Sequence, residues 1–337
     1  MNKVIRQRLV LPLVAALGLA TGSAAMAEGD YLLATASTGG TYYPVGVAIS
    51  TLVKVKLQPK DKINMSAISS AGSGENIKLL RENESQFAIL QGLYGVFARE
   101  GSGPLANEGP QKDLRAVTML WQNVEHFVVD AEHAKSGTIA DALKIGSNAG
   151  FGGRNSGSLV SAQTIFGNLG LDINERFELF YAGYGALADA LQDGKLDLIG
   201  TPAGVPVGAV TKLLAAKGDD VRLLSFTPEQ AAKADGGMDL WNPYRIPAGT
   251  YPGQTDDLMT IAQPNFLAVR ADLPEEHVYK ITKTIYENLG FLQAIHKATN
   301  AMSLDKALEG LPLPLHPGAA RYFREAGLEI PARLIAN

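Results

Sequence analysis

A short apolar run, then a turn rich in Ser and Gly, then a helical pattern: this unit recurs along the chain and leaves few folds open. Tyr31-Leu32-Leu33-Ala34-Thr35 reads as a strand and Ser37 to Thr41 as a polar, glycine-containing turn. From Tyr42 to Lys56, Val45, Ile49, Leu52 and Val53 fall at helical spacing. Ile63 to Ile68 is a second strand, Ser69 to Gly74 a second turn, Glu75 to Arg81 a helix, and Phe87 to Leu90 a third strand. Strands separated by helices need crossover connections, so the pattern predicts an α/β fold with a largely parallel sheet.

The middle of the chain repeats the unit. Lys144 to Gly146 reads as the end of a strand and Ser147 to Ser158 as a long Gly/Ser/Asn loop. Leu159 to Leu169 reads as a helix stopped by Gly170. Phe177 to Tyr181 then predicts a strand, Ala186 to Leu191 a helix, and Leu196 to Ile199 a strand. The passage from helix through turn into buried strand over 80–90 resembles that over 191–199, which fits two lobes of like architecture. Asn123 to Asp130 reads as a crossing between lobes and Gln263 to Arg270 as the return. Asp272 to His296 reads as a long helical region, and Leu311 to Pro317 as Pro-rich coil. The expected organisation is lobe one over 28–125, lobe two over 126–262, and a return to lobe one with C-terminal helices over 263–337. Two crossings make a hinge that suits closure on a ligand.

The N-terminus sets the expected compartment. Lys3, Arg6 and Arg8 precede an apolar run from Leu9 to Ala20, and Ala25-Met26-Ala27 matches a small-x-small cleavage site. That order is a secretory signal peptide over 1–27, and the run is too short to span a bilayer comfortably. The expected location is the periplasm, with a mature chain of about 310 residues, long enough for two lobes. No cysteine follows the apolar run, so a lipoprotein anchor is excluded. The chain has no cysteine at all, which excludes disulfides and thiol chemistry. A net charge of -4 without a basic block leaves no nucleic-acid footprint.

Three turns share one physical character: Ser37 to Thr41, Ser69 to Ser73, and Asn155 to Ser158. Each precedes a predicted helix, whose free N–H groups and partial positive charge attract anions. Ordinary N-capping accounts for any one of them; three, divided between the lobes, point to a shared anion site. Arg154 is the sole cation of the 147–158 loop, and a guanidinium pairs naturally with a carboxylate. Tyr42, Tyr43, Tyr181, Tyr184 and Tyr251 lie in or beside turns and suit a cleft. No Gly-x-Ser-x-Gly elbow, complete Gly-x-Gly-x-x-Gly or Walker A motif is present, and the five histidines lack metal-ligand spacing. No catalytic residue, metal or cofactor is therefore expected.

At four stretches the chain resembles the TAXI solute receptors of TRAP (tripartite ATP-independent periplasmic) transporters. They are 36–44 (Ala-Ser-Thr-Gly-Gly-Thr-Tyr-Tyr-Pro), 75–80 (Glu-Asn-Ile-Lys-Leu-Leu), 246–254 (Ile-Pro-Ala-Gly-Thr-Tyr-Pro-Gly-Gln) and 315–323 (Leu-His-Pro-Gly-Ala-Ala-Arg-Tyr-Phe). The resemblance implies a two-lobed type II periplasmic binding protein fold with the ligand cleft between the lobes. It implies a monomer handing a small carboxylated metabolite, a glutamate-like amino acid or a dicarboxylate, to a membrane permease. Carried over by motif, Thr38, Gly40, Thr41, Tyr42, Ser70, Ser73, Asn76 and Gln91 would line the cleft from lobe one. Ser156, Gly157, Ser158, Tyr181 and Tyr251 would line it from lobe two, beside Arg154. The segments 150–155 and 201–204 depart from the family pattern, which leaves the ligand open. A periplasmic enzyme acting on a small carboxylate, or a receptor serving a sensor kinase, are the alternatives.

Overall fold

The computed structural model describes residues 29–336, so the expected leader over 1–27 lies outside the described residues. Strands β1 (Asp30–Ala34), β2 (Asn64–Ile68) and β3 (Phe87–Gln91) alternate with helices α1 (Tyr42–Asp61), α2 (Ser73–Arg81) and α3 (Gly92–Glu100). β1 pairs in parallel with both β2 and β3. The apolar spacing seen in the sequence buries Val45, Ile49, Leu52 and Val53 of α1 against this sheet. The helix stops where Lys62 turns left-handed and its N–H reaches back to Gln58 O.

β4 (Leu114–Val124) then leaves the first sheet, and after two residues the chain enters the second as β5 (Phe127–Asp130). Next come α4 (Ile139–Ala142), β6 (Asn148–Gly150), α5 (Gly157–Leu169), α6 (Ile173–Arg176), β7 (Glu178–Leu179) and α7 (Tyr184–Gln192). β8 (Leu198–Gly200), α8 (Gly208–Lys217) and β9 (Val221–Leu223) follow. The second sheet runs β7-β6-β8-β5-β9, with β6 parallel to β7 and β8. Its core is an aromatic cluster of Phe127, Phe151, Phe166 and Phe177, with ring centroids 5.4–6.5 Å apart.

α9 (Pro228–Asp235) leads back to β10 (Asn242–Ile246) and β11 (Leu258–Arg270). Both pair in the first sheet, which runs β10-β11-β3-β1-β2 with β4 also on β11. Residues 242–262, expected in lobe two, therefore contribute strands to the first sheet. The reason is the long antiparallel pairing of β11 with both β3 and β4. Helices α10 (Glu275–Glu287), α11 (Leu289–Ile295) and α12 (Pro317–Glu325) complete the chain, and α10 and α12 supply residues to the first core. The expected helical region from Asp272 is split at Asn288. No helix among the described residues is long and apolar enough to cross a membrane.

Three local readings shift. The strand expected at Lys144 to Gly146 starts later, at Asn148, because the Lys144 and Ile145 carbonyls accept from the Arg176 side chain instead of a ladder. The 147–158 loop accordingly contains β6. The strand expected over 177–181 contracts to two residues, since β7 is an edge paired only with β6.

Candidate functional site

The carboxyl ends of the parallel strands in both sheets face one another, the position where open α/β sheets hold ligands. Each strand end leads into a helix start, β1 to α1, β2 to α2, β6 to α5 and β7 to α7 through a turn and β3 to α3 directly. Between them lies a cavity of about 230 Å³. The lobes meet around it in direct contact. Gln91 Nε2 donates to Gly157 O (3.0 Å), Thr41 Oγ1 to Gly204 O (2.8 Å), Glu75 N to Asn155 O (3.1 Å) and Ala209 N to Gly39 O (3.1 Å).

The N-cap residue caps only α5, where Ser156 Oγ accepts from Leu159 N (3.1 Å); those of α1, α2, α3 and α7 make no side-chain cap, although Leu93 N of α3 donates to Gln263 Oε1 (2.8 Å) and Tyr184 N of α7 to Ser37 Oγ (3.4 Å). Of the five, only α2 has an acid in its first turn, Glu75, whose Oε2 accepts from Ala71 N (2.6 Å). Helix N-termini carry a partial positive charge and N–H groups without intrahelical partners, so a wall built from them favours an anion.

Gly40, Thr41, Tyr42, Ser70, Ser73 and Gln91 stand on this wall from one side, Gly157 and Ser158 from the other. Burial pushes the Tyr42 hydroxyl well above its ordinary range, so it stays a donor, and it hydrogen-bonds Asn265 Oδ1. The other expected residues lie elsewhere, each for a visible reason. Asn76 is buried behind the wall, where its Nδ2 donates to Thr35 O (2.8 Å) and Ile89 O (2.9 Å), tying β1 to β3. Ser156 is spent on capping α5. Thr38 is exposed. Arg154 is exposed as well, its guanidinium 3.9 Å above the ring of half-buried Tyr181.

Tyr251 sits at the crossing between sheets. Its hydroxyl lies 2.8 Å from His126 Nε2 and accepts from Val207 N at 2.9 Å. His126 Nδ1 lies 2.8 Å from Val124 O, a carbonyl that can only accept. Nδ1 therefore carries the proton, and Nε2 accepts from the tyrosine. Burial depresses the imidazole to about 4, which keeps it neutral. Tyr251→Phe should leave Nε2 and the Val207 N–H without partners and cost about 2 kcal/mol in urea denaturation, without removing a wall residue.

Beside it, Glu125 is 1% exposed. Its carboxyl accepts from Trp241 Nε1 (3.1 Å) and is hydrogen-bonded by Ser161 and Gln263. Burial without a cation partner raises it to about 8.

Tyr184 and Asn123 also line the cavity. The Tyr184 ring packs so close to Gly40 that a Cβ there would stand 3.3 Å from Cδ2 and Cε2. Its hydroxyl donates to Pro202 O (2.8 Å). The start of α7 follows a strand end like the other turns, a signal present in the sequence but muted by the lack of a Ser/Gly run. Asn123 carries no such local signal.

Two α/β lobes, joined by a double crossing and closed over a cavity at their strand ends, define the periplasmic binding protein fold. A family model described as NMT1-like matches residues 33–327, and the chain belongs to that family. Among solved structures, MatC from Rhodopseudomonas palustris with bound malate matches with a TM-score of 0.53 at 14% identity, over 88% of this chain and 98% of that one. A protein of Bordetella bronchiseptica RB50 matches at 0.51 and 12% identity, over 88% and 82%. The alkanesulfonate-binding protein SsuA from Xanthomonas axonopodis pv. citri, bound to MOPS, gives 0.48 at 16% identity over 89% and 85%.

Proposed function

We propose that the protein is a periplasmic solute receptor of the TAXI type, which captures a small carboxylate between its lobes and delivers it to a TRAP permease. One observation carries the carboxylate: helix starts from both lobes, α1 and α2 on one side and α5 and α7 on the other, converge on a cavity whose wall, among the described residues, has no Asp, Glu, Lys, Arg or His. A buried carboxylate needs every lone pair satisfied, and neutral N–H and hydroxyl donors from both lobes satisfy it only when the lobes are closed. Ligand therefore shifts the population toward the closed form, the state a permease distinguishes. The motifs at 36–44 and 246–254 support the TAXI assignment, and malate in MatC is cargo of the proposed kind.

A thermal-shift screen against organic acids tests this reading. An acid present at 100 times its dissociation constant should stabilise the fold by about 2.7 kcal/mol. A flat response across mono-, di- and tricarboxylates at millimolar concentration refutes it.

A further inference from the structure

Most side-chain donors of the cavity wall already serve the protein. Thr41 Oγ1 donates to Gly204 O, the Tyr42 hydroxyl to Asn265 Oδ1, the Tyr184 hydroxyl to Pro202 O, and Gln91 Nε2 to Gly157 O and Ser161 Oγ. Ser70 Oγ lies 2.9 Å from Thr35 O and 2.6 Å from Asn76 Oδ1, both acceptors, so its one proton is taken. Ser73 hydrogen-bonds Tyr42, and Ser158 hydrogen-bonds Tyr184. Ser37 differs: its Oγ accepts from Tyr184 N (3.4 Å), and among the described residues no bond uses its proton. A ligand is therefore met by that hydroxyl and by first-turn N–H groups. These satisfy lone pairs, but the only positive charge they bring is the partial charge of helix ends.

That charge is small. The starts of α1, α2, α5 and α7 carry about half a positive unit each. Glu75, in the first turn of α2, works against them: its Oε2 accepts from the N–H of the wall residue Ala71 (2.6 Å), and its charge offsets roughly two of the four starts. Glu125 stands on the other side, within electrostatic reach of Tyr184. Protonated, it supplies no positive charge; ionised, it repels a ligand anion. The cation nearest the wall along the chain is Arg154, next to the wall residue Gly153, and it is exposed and stacked on Tyr181. What remains balances about one negative charge. A second carboxylate brought out of water into the closed cleft meets two carboxyl groups and no cation, and a buried charge without a counter-charge is costly.

We propose that the cavity takes a monocarboxylate and rejects the dicarboxylate of the same carbon skeleton. This rests on the carboxylate reading above and narrows it: of the two ligand classes implied by the family resemblance, dicarboxylates are excluded.

Calorimetric titration of the mature protein at about pH 7.5, where both ends of a diacid are ionised, tests the selection. One series is butyrate, succinamate and succinate; the other is valerate, glutaramate and glutarate. Succinamate and glutaramate replace one carboxylate by an amide of nearly the same shape, which separates charge from size. In at least one series the better monoanion should bind tenfold or more tighter than the diacid. Glu75→Gln keeps an acceptor for Ala71 N and removes the charge, so it should raise diacid affinity relative to the monoanions by threefold or more. A diacid that binds wild type as tightly as the better monoanion overturns the proposal while leaving the carboxylate reading intact. So does a preference that Glu75→Gln leaves unmoved, since shape and not charge would then set it. Silence from all six acids overturns the carboxylate reading and this proposal together. Should Glu75→Gln fail to fold, the wild-type series still decides.

Discussion

Gly74→Ala should weaken ligand binding roughly 5- to 150-fold while changing the stability of the fold much less. Gly74 is the second residue of α2, and a Cβ there would stand 2.4 Å from the backbone oxygen of Asn155 in the opposite lobe. Backbone oxygen cannot swing away as a side chain can. The methyl is accommodated only if the seam parts, and overlaps of this kind cost about 1–3 kcal/mol. The Cβ would also stand 2.7 Å from Tyr94 Oη of the same lobe, a cost paid in open and closed states alike, whereas the clash with Asn155 falls on the closed state alone and is read as lost affinity. Alanine meanwhile favours helix over glycine by up to ~1 kcal/mol, which acts in the opposite direction on global stability. Gly167→Ala on α5, where a Cβ meets nothing within 4 Å, is the matched control. Titration with an acid found in the screen, and small-angle scattering with and without it, would show the control compacting and Gly74→Ala staying open. Unchanged affinity and compaction in Gly74→Ala would mean that the seam is soft and closure does not depend on it.

Gly74 also shows what local pattern conveys. The Ser/Gly turns at 37–41 and 69–73 announce strand–turn–helix junctions, because only such residues let backbone crowd backbone, and the α/β class follows from their repetition. The side of a turn that faces a ligand is another matter. Ser73 and Asn76 both belong to the second turn and its helix, yet Ser73 faces the cavity while Asn76 points back into carbonyls of β1 and β3. That choice depends on the neighbouring strands, not on residue type. Arg154 had the right charge in a glycine-rich loop, but a nearby aromatic face holds its guanidinium. Asn123 reads as one polar residue in a β-strand; its place on the wall depends on Gln91, 32 residues away, which in turn donates to Gly157, 66 residues further along the chain. The pairing of β11 with β3 and β4 is likewise non-local, which is why 242–262 were expected in the other lobe.

Above neutral pH, the stability of the protein should fall as pH rises, and Glu125→Gln should abolish the fall. The Glu125 carboxyl is raised by burial from an ordinary 4.5 to about 8 in the folded protein. Below 4.5 it is protonated in both folded and unfolded chains and contributes no slope. Between 4.5 and 8 the folded chain keeps the proton that the unfolded chain releases. The folded state then binds more protons, so stability declines with rising pH across that window and levels off above it. The histidines work in the opposite sense. His126 and His316 are depressed by burial to about 4, and His296 is depressed too. Their unfolded forms take up protons as pH falls through 6.5, so they remove stability on the acid side. From 4.5 to 6.5 the two effects oppose each other. From 6.5 to 8 the carboxyl acts without them, and the lowered aspartates and glutamates titrate well below this range. One proton gives a slope of at most about 1.4 kcal/mol per pH unit there. Glutamine keeps an acceptor for Trp241 Nε1 and carries no titrating proton. Urea denaturation of both proteins at half-unit steps from pH 5 to 9 measures the difference. Wild type should lose on the order of 2 kcal/mol between 6.5 and 8, while Glu125→Gln stays level over the same interval. Parallel profiles for the two proteins would mean that Glu125 is ionised in the folded state, with its charge carried by the three donors around it.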